Sequence, residues 1–204
     1  MFDLSGVMVS ELKKRLEKAF ADVKSAVLLL WDSSSVMERF EETGVITQKT
    51  ALELGLVGVA ARACGLERDV RFDFPSGIFR FSQIPVATYS SGDVFSRAFV
   101  RWLEIQRSVE FIQTQLNNLP SGPINTPVAL LKKQSVIVSL IEGWRGEICH
   151  VVLTDENGKI SRYKIIDPSF HNWIGLAMAL RGEEISNFPL CNKSFNLSYC
   201  GHDL

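Results

Sequence analysis

The sequence predicts an α+β fold, mainly long packed helices with a small antiparallel sheet near residues 135–166. Two stretches, Val9–Trp31 and Asp93–Asn118, carry apolar residues at helical spacing over several turns. A third stretch is rich in β-branched and aromatic residues on both sides of Asn157-Gly158, a pair typical of tight hairpin turns. Two long helices beside one hairpin indicate that helices form the core and that the sheet is minor.

The composition is that of one globular domain. The chain has 204 residues, 46% apolar and 22% charged, with a net charge of −1. We expect a single domain, with helices over residues 1–134, the sheet over 135–166, and a C-terminal helix and tail over 167–204. The balanced charge indicates no nucleic acid partner. No apolar run approaches the ~20 residues that span a bilayer, and no secretory signal is present, so we expect no direct membrane insertion.

The first helices are predicted from an apolar stripe and from capping residues. Within Val9–Trp31 apolar side chains recur every three or four residues, at Leu12, Leu16, Phe20, Val23, Val27 and Leu30. A capping box with Ser35 as N-cap and Glu38 reaching back predicts a short second helix. Thr47 is positioned to cap a third helix over Gln48–Leu54.

A run of small residues at 55–65 contains one charge, Arg62. Small side chains allow close backbone approach, and a buried charge is seldom left unpaired. Asp69 and Arg71 are the nearby charged candidates. Two interpretations stay open: Arg62 is a salt-bridged structural residue, or it points at a site between helices.

The following segment shows no helical period, and we expect an extended connection with a short strand at Gly77–Phe81. We then expect Asp93–Asn118 to form a long helix, with an acidic residue at its positive N-terminal end. On this helix Arg97 and Arg101 are four residues apart and therefore share a face. A solvated face with Glu104 as partner is the favoured interpretation of that pair.

The hairpin consists of strands Ile148–Leu153 and Ile160–Ile166, and Val136–Ile141 is expected to add a third strand. Asn157-Gly158 predicts a two-residue type I′ turn, because both positions tolerate positive φ.

That turn fixes the register of the hairpin. It places Val152 opposite Tyr163 and His150 opposite Ile165, all on one face, which we expect to be the core face. His150 on that face is interpreted first as a packed, hydrogen-bonded core histidine.

The C-terminal region carries a predicted helix at Ile174–Arg181 and two of the four cysteines, Cys191 and Cys200. A disulfide between these two is one alternative, but the lack of a secretory signal favours reduced thiols. Cys200 and His202 are two apart, a weak metal-ligand spacing, and a loose tail is the favoured interpretation. The sequence has no Gly-rich phosphate loop, no nucleophile elbow and no carboxylate pair at catalytic spacing.

Three motifs are similar to one superfamily. The first is Glu142-x-x-Arg145-Gly146-Glu147, followed by a hairpin with a basic second strand and by Pro168-Ser169-Phe170-x-Asn172. The second is Gly55-x-x-Gly58-x-x-x-Arg62-Ala63-x-Gly65-x-x-x-Asp69-x-Arg71. The third is Gly92-Asp93-x-x-x-Arg97-x-x-x-Arg101-x-x-Glu104. Together they resemble the C-terminal half of nickel-iron hydrogenase large subunits and of the related quinone-site subunit of respiratory complex I. The energy-converting branch, which includes the formate hydrogenlyase type, is the most similar.

The resemblance implies the fold of those large subunits and a site near their active-site cavity. The residues it places there are Arg62, Asp69, Arg145, His150 and His171. It implies an iron-sulfur small subunit and membrane subunits as partners, with the iron-sulfur cluster in the partner and a quinone in the intact complex. The protein would then be cytoplasmic, held at the inner face of the membrane by those partners. The resemblance also gives the second interpretation of Arg97 and Arg101, as a contact with the iron-sulfur subunit.

The chain departs from the hydrogenase pattern in its tail. The hydrogenase motif Asp-Pro-Cys-x-x-Cys overlies Asn196-Leu197, with its two cysteines at Ser198 and Gly201, and Cys200 is one position out of register. Nickel and low-spin iron need thiolate ligands, so we expect no metal and no cofactor bound by this chain alone. The implied function is an electron-transfer large-subunit fragment without its own nickel-iron site. A non-catalytic scaffold or assembly domain that keeps the fold is the alternative.

Overall fold

A computed structural model describes residues 4–82 and 84–204. It has the expected α+β architecture, with a three-stranded antiparallel sheet beside a helical body. The α-helices are α1 Gly6–Trp31, α2 Ser34–Phe40, α3 Gln48–Glu53, α4 Gly58–Arg62, α5 Val70–Asp73, α6 Val94–Asn117, α7 Pro168–Ala179, α8 Phe188–Phe195 and α9 Tyr199–His202. The strands are β1 Val136–Gly143, β2 Gly146–Thr154 and β3 Ile160–Ile166, and short 3₁₀ helices occur at Gly77–Arg80 and Ile185–Asn187.

The two long helices lie side by side and run antiparallel. Lys13 Nζ is 2.5 Å from Asn117 Oδ1 at one end of the pair, and the rings of Trp31 and Phe99 are 5.5 Å apart at the other. No residue of α1 is buried. The predicted apolar stripe of α1 therefore packs against α6 along one side, and much of the stripe is exposed to solvent.

The main core lies where α3, α4, α7 and α8 meet, and small residues bring their backbones close, as the run at 55–65 predicts. Gly58 has a φ of +61°, and a Cβ on it would overlap the Cα of Gly146 at the start of β2. Asn172 of α7 locks the same junction, because its side chain accepts from Val57 N at 3.0 Å and donates to Val57 O at 3.1 Å. This junction joins the sheet to the helical body.

The sheet has the order β1-β2-β3, and the register prediction is confirmed: His150 pairs with Ile165 and Val152 with Tyr163. The type I′ turn prediction is wrong. In the loop Gly158 has positive φ and Asn157 does not. The Asp155 carboxylate accepts from Asn157 N at 2.8 Å and from Lys159 N at 2.9 Å, which holds a wider loop and shifts the register at the end of β2.

The face of the sheet that carries His150 is not the core. Tyr163 on that face is 55% exposed and Ile137 is 64% exposed. His150 is half-buried, with its Nδ1 2.5 Å from the Tyr163 hydroxyl. The prediction of a packed core histidine is therefore wrong. The physical reason is that α4 and α7 pack against Gly146 and α5 packs against Glu142, beside the β1–β2 turn, while residues farther along the strands are exposed.

Three predictions of secondary structure, two for helices and one for a strand, need correction. Ser33, not Ser35, is the N-cap residue of α2. The segment Gly77–Arg80 is a 3₁₀ helix and not a strand, because Gly77 takes a φ of +53° and the chain curls immediately after it. The helix expected at Ile174–Arg181 begins earlier, at Pro168, where Asp167 caps it and proline suits the first turn.

Other helical predictions are confirmed. Thr47 caps α3 by accepting from Thr50 N at 3.1 Å, and Asp93 caps α6 by accepting from Ser96 N at 2.7 Å. The tail after Gly182 is not loose, since α8 and α9 fold back onto α7. Over residues 4–82 and 84–204, no helix combines the length and the apolarity needed to cross a bilayer.

The solvated face predicted for Arg97 and Arg101 is wrong. Arg97 is 1% exposed and Arg101 is half-buried. Glu104 does not pair with either arginine but turns to Arg62 and Arg71. The periodicity of α6 could not reveal this, because α4 and α8 cover the side of the helix that the spacing assigns to solvent.

Candidate functional site

A buried ion network centres on Arg62, at the C-terminal end of α4, whose residue is 0% exposed. Its guanidinium lies 2.7 Å from Glu104 of α6, 2.9 Å from Glu142 of β1 and 3.6 Å from Asp69, the N-cap of α5. Four elements are therefore tied together by one side chain. Of the two interpretations of Arg62, the structure agrees with a salt-bridged residue.

Arg71 completes the network. Its Nη2 is 2.5 Å from Asp69 and 3.2 Å from Glu104. Two guanidinium groups thus face three carboxylates, which leaves one excess negative charge. Glu142 is held further by the N–H of Val70, which donates to its Oε2 at 3.3 Å.

The network shifts the pKa values of its members in different directions. Burial raises the pKa of Glu142, and the nearby charge of Arg62 does not fully offset this. Burial would also raise the pKa of Asp69, but the hydrogen bond from Arg71 and the charge of Arg62 lower it below its ordinary value. Burial would lower the pKa of Arg62, yet Glu104, Glu142 and Asp69 together raise it. Of Glu142 and Asp69, Glu142 is therefore the carboxylate whose ionised form the folded chain disfavours.

A cavity of about 720 Å³ adjoins this network. Its wall includes Gly58, Asp69, Glu142, Glu147 and His171. Glu142 and Glu147 are directly paired across β1 and β2, so their side chains share a face of the sheet. The cavity therefore presents carboxylates and one imidazole, groups that take up and release protons.

The structure brings together three of the five residues predicted for the site. Asp69 and His171 line the cavity, and Arg62 lies behind its wall. Arg145 points away, and its Nε donates to Asn196 O at the end of α8. His150 lies on the projecting sheet, outside the cavity wall. Their chemical roles stay predictions.

Sequence reasoning missed Glu104, Glu142 and Glu147 as members of the site. Glu142 and Glu147 bracket the motif that contains Arg145, so their signal was present. Their convergence on Arg62 was not readable, because it depends on packing β1 against α4 and α5, which are distant in the chain.

The tail positions that overlie the two hydrogenase cysteines are Ser198 and Gly201. Ser198 Oγ caps α9 by accepting from Gly201 N at 3.0 Å, and Ser198 N donates to Ser169 Oγ at 2.9 Å. A Cβ on Gly201 would lie 2.5 Å from the carboxyl carbon of Asp167, so no larger residue fits there unmoved. Cys200 is exposed. Within the described part of the chain, no group of three or more His, Cys, Asp or Glu side chains is arranged to hold a metal ion.

A family model described as respiratory-chain NADH dehydrogenase, 49 Kd subunit, matches residues 1–138. The chain is 28% identical over 183 residues to a carbon monoxide-induced hydrogenase of Rhodospirillum rubrum, covering 89% of this chain and 51% of that protein. It is 30% identical over 210 residues to NADH-quinone oxidoreductase subunit 4 of Thermus thermophilus, covering 90% and 51%. It is 28% identical over 178 residues to formate hydrogenlyase subunit 5 of Escherichia coli, covering 87% and 31%.

A solved structure shares the fold. The chain superposes on a subunit of the membrane-bound sulfane sulfur reductase, an archaeal respiratory membrane complex, with a TM-score of 0.90 at 23% identity. The match covers 98% of this chain and 56% of that one. The chain thus spans about half of the length, 51%, of the hydrogenase of R. rubrum and of the T. thermophilus subunit.

Proposed function

The chain belongs to the family of the 49 Kd subunit of respiratory-chain NADH dehydrogenase, and from that premise we propose that it works as a large-subunit component of a membrane-associated redox complex. Its relatives are named as a subunit of NADH-quinone oxidoreductase, a component of hydrogenase-4 and a subunit of formate hydrogenlyase, which supports a respiratory-complex subunit. In the proposed complex the chain takes part in electron transfer coupled to quinone or proton chemistry. An iron-sulfur small subunit and membrane subunits are its proposed partners, on the cytoplasmic side.

We further propose that the chain holds no nickel-iron centre. The observation that carries this proposal is the contact of Gly201 with Asp167, since a cysteine at that position would overlap the carboxylate. Ser198, at the other ligand position, already caps α9. Neither a hydroxyl nor a glycine replaces a thiolate on nickel or low-spin iron.

In the proposed reaction the cavity residues handle protons. A quinone in the intact complex would supply the redox carrier, and this chain would supply carboxylates and an imidazole at the cavity wall. Glu142 and His171 border the cavity and are the groups proposed to exchange protons there, whereas the lowered pKa of Asp69 favours its carboxylate form. Arg62 lies behind the cavity wall, and its ion pairs fix the positions of Glu142 and Glu104.

Purification of the tagged chain from its native host in mild detergent tests this function. Iron-sulfur and membrane subunits should co-purify and be identified by mass spectrometry, and metal analysis should find far less than one nickel per chain. About one nickel per chain, together with iron, would overturn the proposal that the chain holds no nickel-iron centre, because that centre requires thiolate ligands.

The alternative, a non-catalytic scaffold, is favoured by one observation: all the carboxylates of the ion network are paired, as in a purely structural cluster. His171→Ala in the assembled complex separates the two functions. A cavity role predicts intact assembly with lost quinone-linked electron transfer, whereas a scaffold role predicts unchanged transfer. His202→Ala, which lies against Trp173 and outside the cavity wall, is the matched control.

A further inference from the structure

Three arginines converge on the C-terminal end of α8. Arg97 Nε donates to Ser194 Oγ at 2.8 Å, Arg101 Nη1 donates to Ser194 O at 2.6 Å, and Arg145 Nε donates to Asn196 O. Over residues 4–82 and 84–204, none of the three has a carboxylate within 4.0 Å. Carbonyl dipoles at a helix C-terminus offset part of this charge, but they carry no full counter-charge.

The cluster is unusual because buried charges are normally paired. Burial, together with the charges of Arg97 and Arg145, lowers the pKa of Arg101 to about 10, although Glu104 opposes this shift. Arg97 is likewise lowered by burial, to a pKa of about 10. An anion beside Arg101 would remove part of this unfavourable charge.

A cavity of about 290 Å³ opens beside Arg101. Its wall is mostly apolar, formed by Phe40, Val94, Trp144 and Leu190, and its two cationic members are Arg101 and Lys193. The site therefore combines an apolar body with a positively charged end. That combination fits an amphipathic acid better than a fully hydrated inorganic anion.

Arg101 retains donors for such a ligand. It gives three N–H groups to carbonyl oxygens, those of Arg97 at 3.1 Å, Ser194 at 2.6 Å and Phe195 at 3.2 Å. A guanidinium has five, so two remain: one on Nη2, and the N–H of Nε, which is buried and has no partner in the described chain. The Trp144 ring lies over the guanidinium at 5.7 Å, and Lys193 on the rim is exposed.

We propose that this cavity binds an organic carboxylate, whose head pairs with Arg101 and Lys193 and whose apolar body lies against Phe40 and Leu190. The site is separate from the acidic cavity at Glu142, and its wall shares no residue with that cavity. Binding needs neither a redox partner nor a quinone, so it can be measured on the full chain alone.

Thermal shift and calorimetry with benzoate test the site, with benzamide as a neutral isostere and inorganic phosphate as a simple anion. Benzoate should raise the melting temperature saturably, while benzamide and phosphate should have little effect. Lys193→Gln should weaken benzoate binding by about tenfold, because a charge-assisted contact is lost. Ala98→Leu should abolish binding by filling the cavity wall, of which Ala98 is part.

Lys49→Gln, at an exposed lysine paired with Glu53 on α3, is the matched control and should leave benzoate binding unchanged. Circular dichroism checks that each variant is folded, and Lys193 is exposed, so its variant does not depend on repacking. Equal shifts with benzoate and benzamide would overturn the proposal. So would the absence of a saturable benzoate shift in the wild-type chain, or benzoate binding that both Lys193→Gln and Ala98→Leu leave intact.

Discussion

Arg62 holds together the buried ion network and should therefore contribute strongly to the free energy of unfolding. Replacement by methionine keeps most of the side-chain volume but leaves Asp69, Glu104 and Glu142 facing one another with only Arg71 to balance them. We expect Arg62→Met to lower the free energy of unfolding by about 3–5 kcal/mol, as for other broken buried ion clusters. Urea denaturation measures this. Arg39→Met, at an exposed residue of α2, should change it by less than about 0.5 kcal/mol.

Glu142 and Asp69 should respond to pH in opposite directions. The pKa of Glu142 is raised on folding, so its ionised form is less stable in the folded chain, and the cost appears as pH rises through and above 4.5, its ordinary value. The pKa of Asp69 is lowered, so its contribution to stability is present above its ordinary value of 3.8 and is lost as pH falls.

Two matched variants measure this difference. Relative to wild type, Glu142→Gln should gain in stability as pH rises, whereas Asp69→Asn should lose most at neutral pH and least at low pH. Denaturation curves at several pH values check both trends. A Glu142→Gln penalty that grows with pH would show that Arg62 outweighs the burial of this carboxylate.

At the scale of elements, the contact between Gly58 of α4 and Gly146 of β2 fixes how the sheet meets the helices. Gly58→Ala would place a Cβ into the Gly146 backbone, and we expect a loss of about 3 kcal/mol or more in unfolding free energy. Gly55→Ala is the control for backbone strain alone. Gly55 has a similar φ of +67°, but no atom lies within 4 Å of its added Cβ, so about 1 kcal/mol is expected. Equal losses in the two variants would mean that φ, and not the close approach, limits this position.

Elements with a repeating pattern were predictable from the sequence, and elements set by side-chain contacts were not. The stripes of α1 and α6 and the register of His150 with Ile165 follow from periods of 3.6 and 2. The hairpin loop was wrong because the Asp155 carboxylate competes with the Asn-Gly turn geometry. Arg97 was assigned to solvent because nothing in α6 itself reveals that α8 covers it.

At the scale of the whole molecule, the family could be predicted from the sequence, but the arrangement of the site could be predicted only in part. The motif residues Arg62, Asp69 and Glu142 lie far apart in the chain yet meet in one network, so the motifs marked the region. The charge cluster of Arg97, Arg101 and Arg145 was not readable, because two of its members come from α6 and the third from the β1–β2 turn. Pairing across such distances is set by tertiary packing.

The exposed surfaces of α1 and of the sheet lead to a prediction about assembly. No residue of α1 is buried, and Val136, Ile137 and Val138 of β1 are each more than half exposed. Apolar surface of this extent on α1 and one sheet is typical of subunits that bury it against partners. In hydrogen–deuterium exchange, we expect α1 and β1 to exchange faster than α4 in the isolated chain and to gain protection in the purified complex.

The core helix α4 serves as the internal control, since all of its residues are buried in the chain alone and its exchange should not change on assembly. Protection gained on α1 and β1 but not on α4 would place the partner contacts on these two surfaces. Equal exchange of α1 in the isolated and assembled states would instead mean that the helix remains in solvent within the complex. Its stripe would then serve only the one-sided packing on α6, where the Phe20 and Trp102 rings already stack at 5.9 Å.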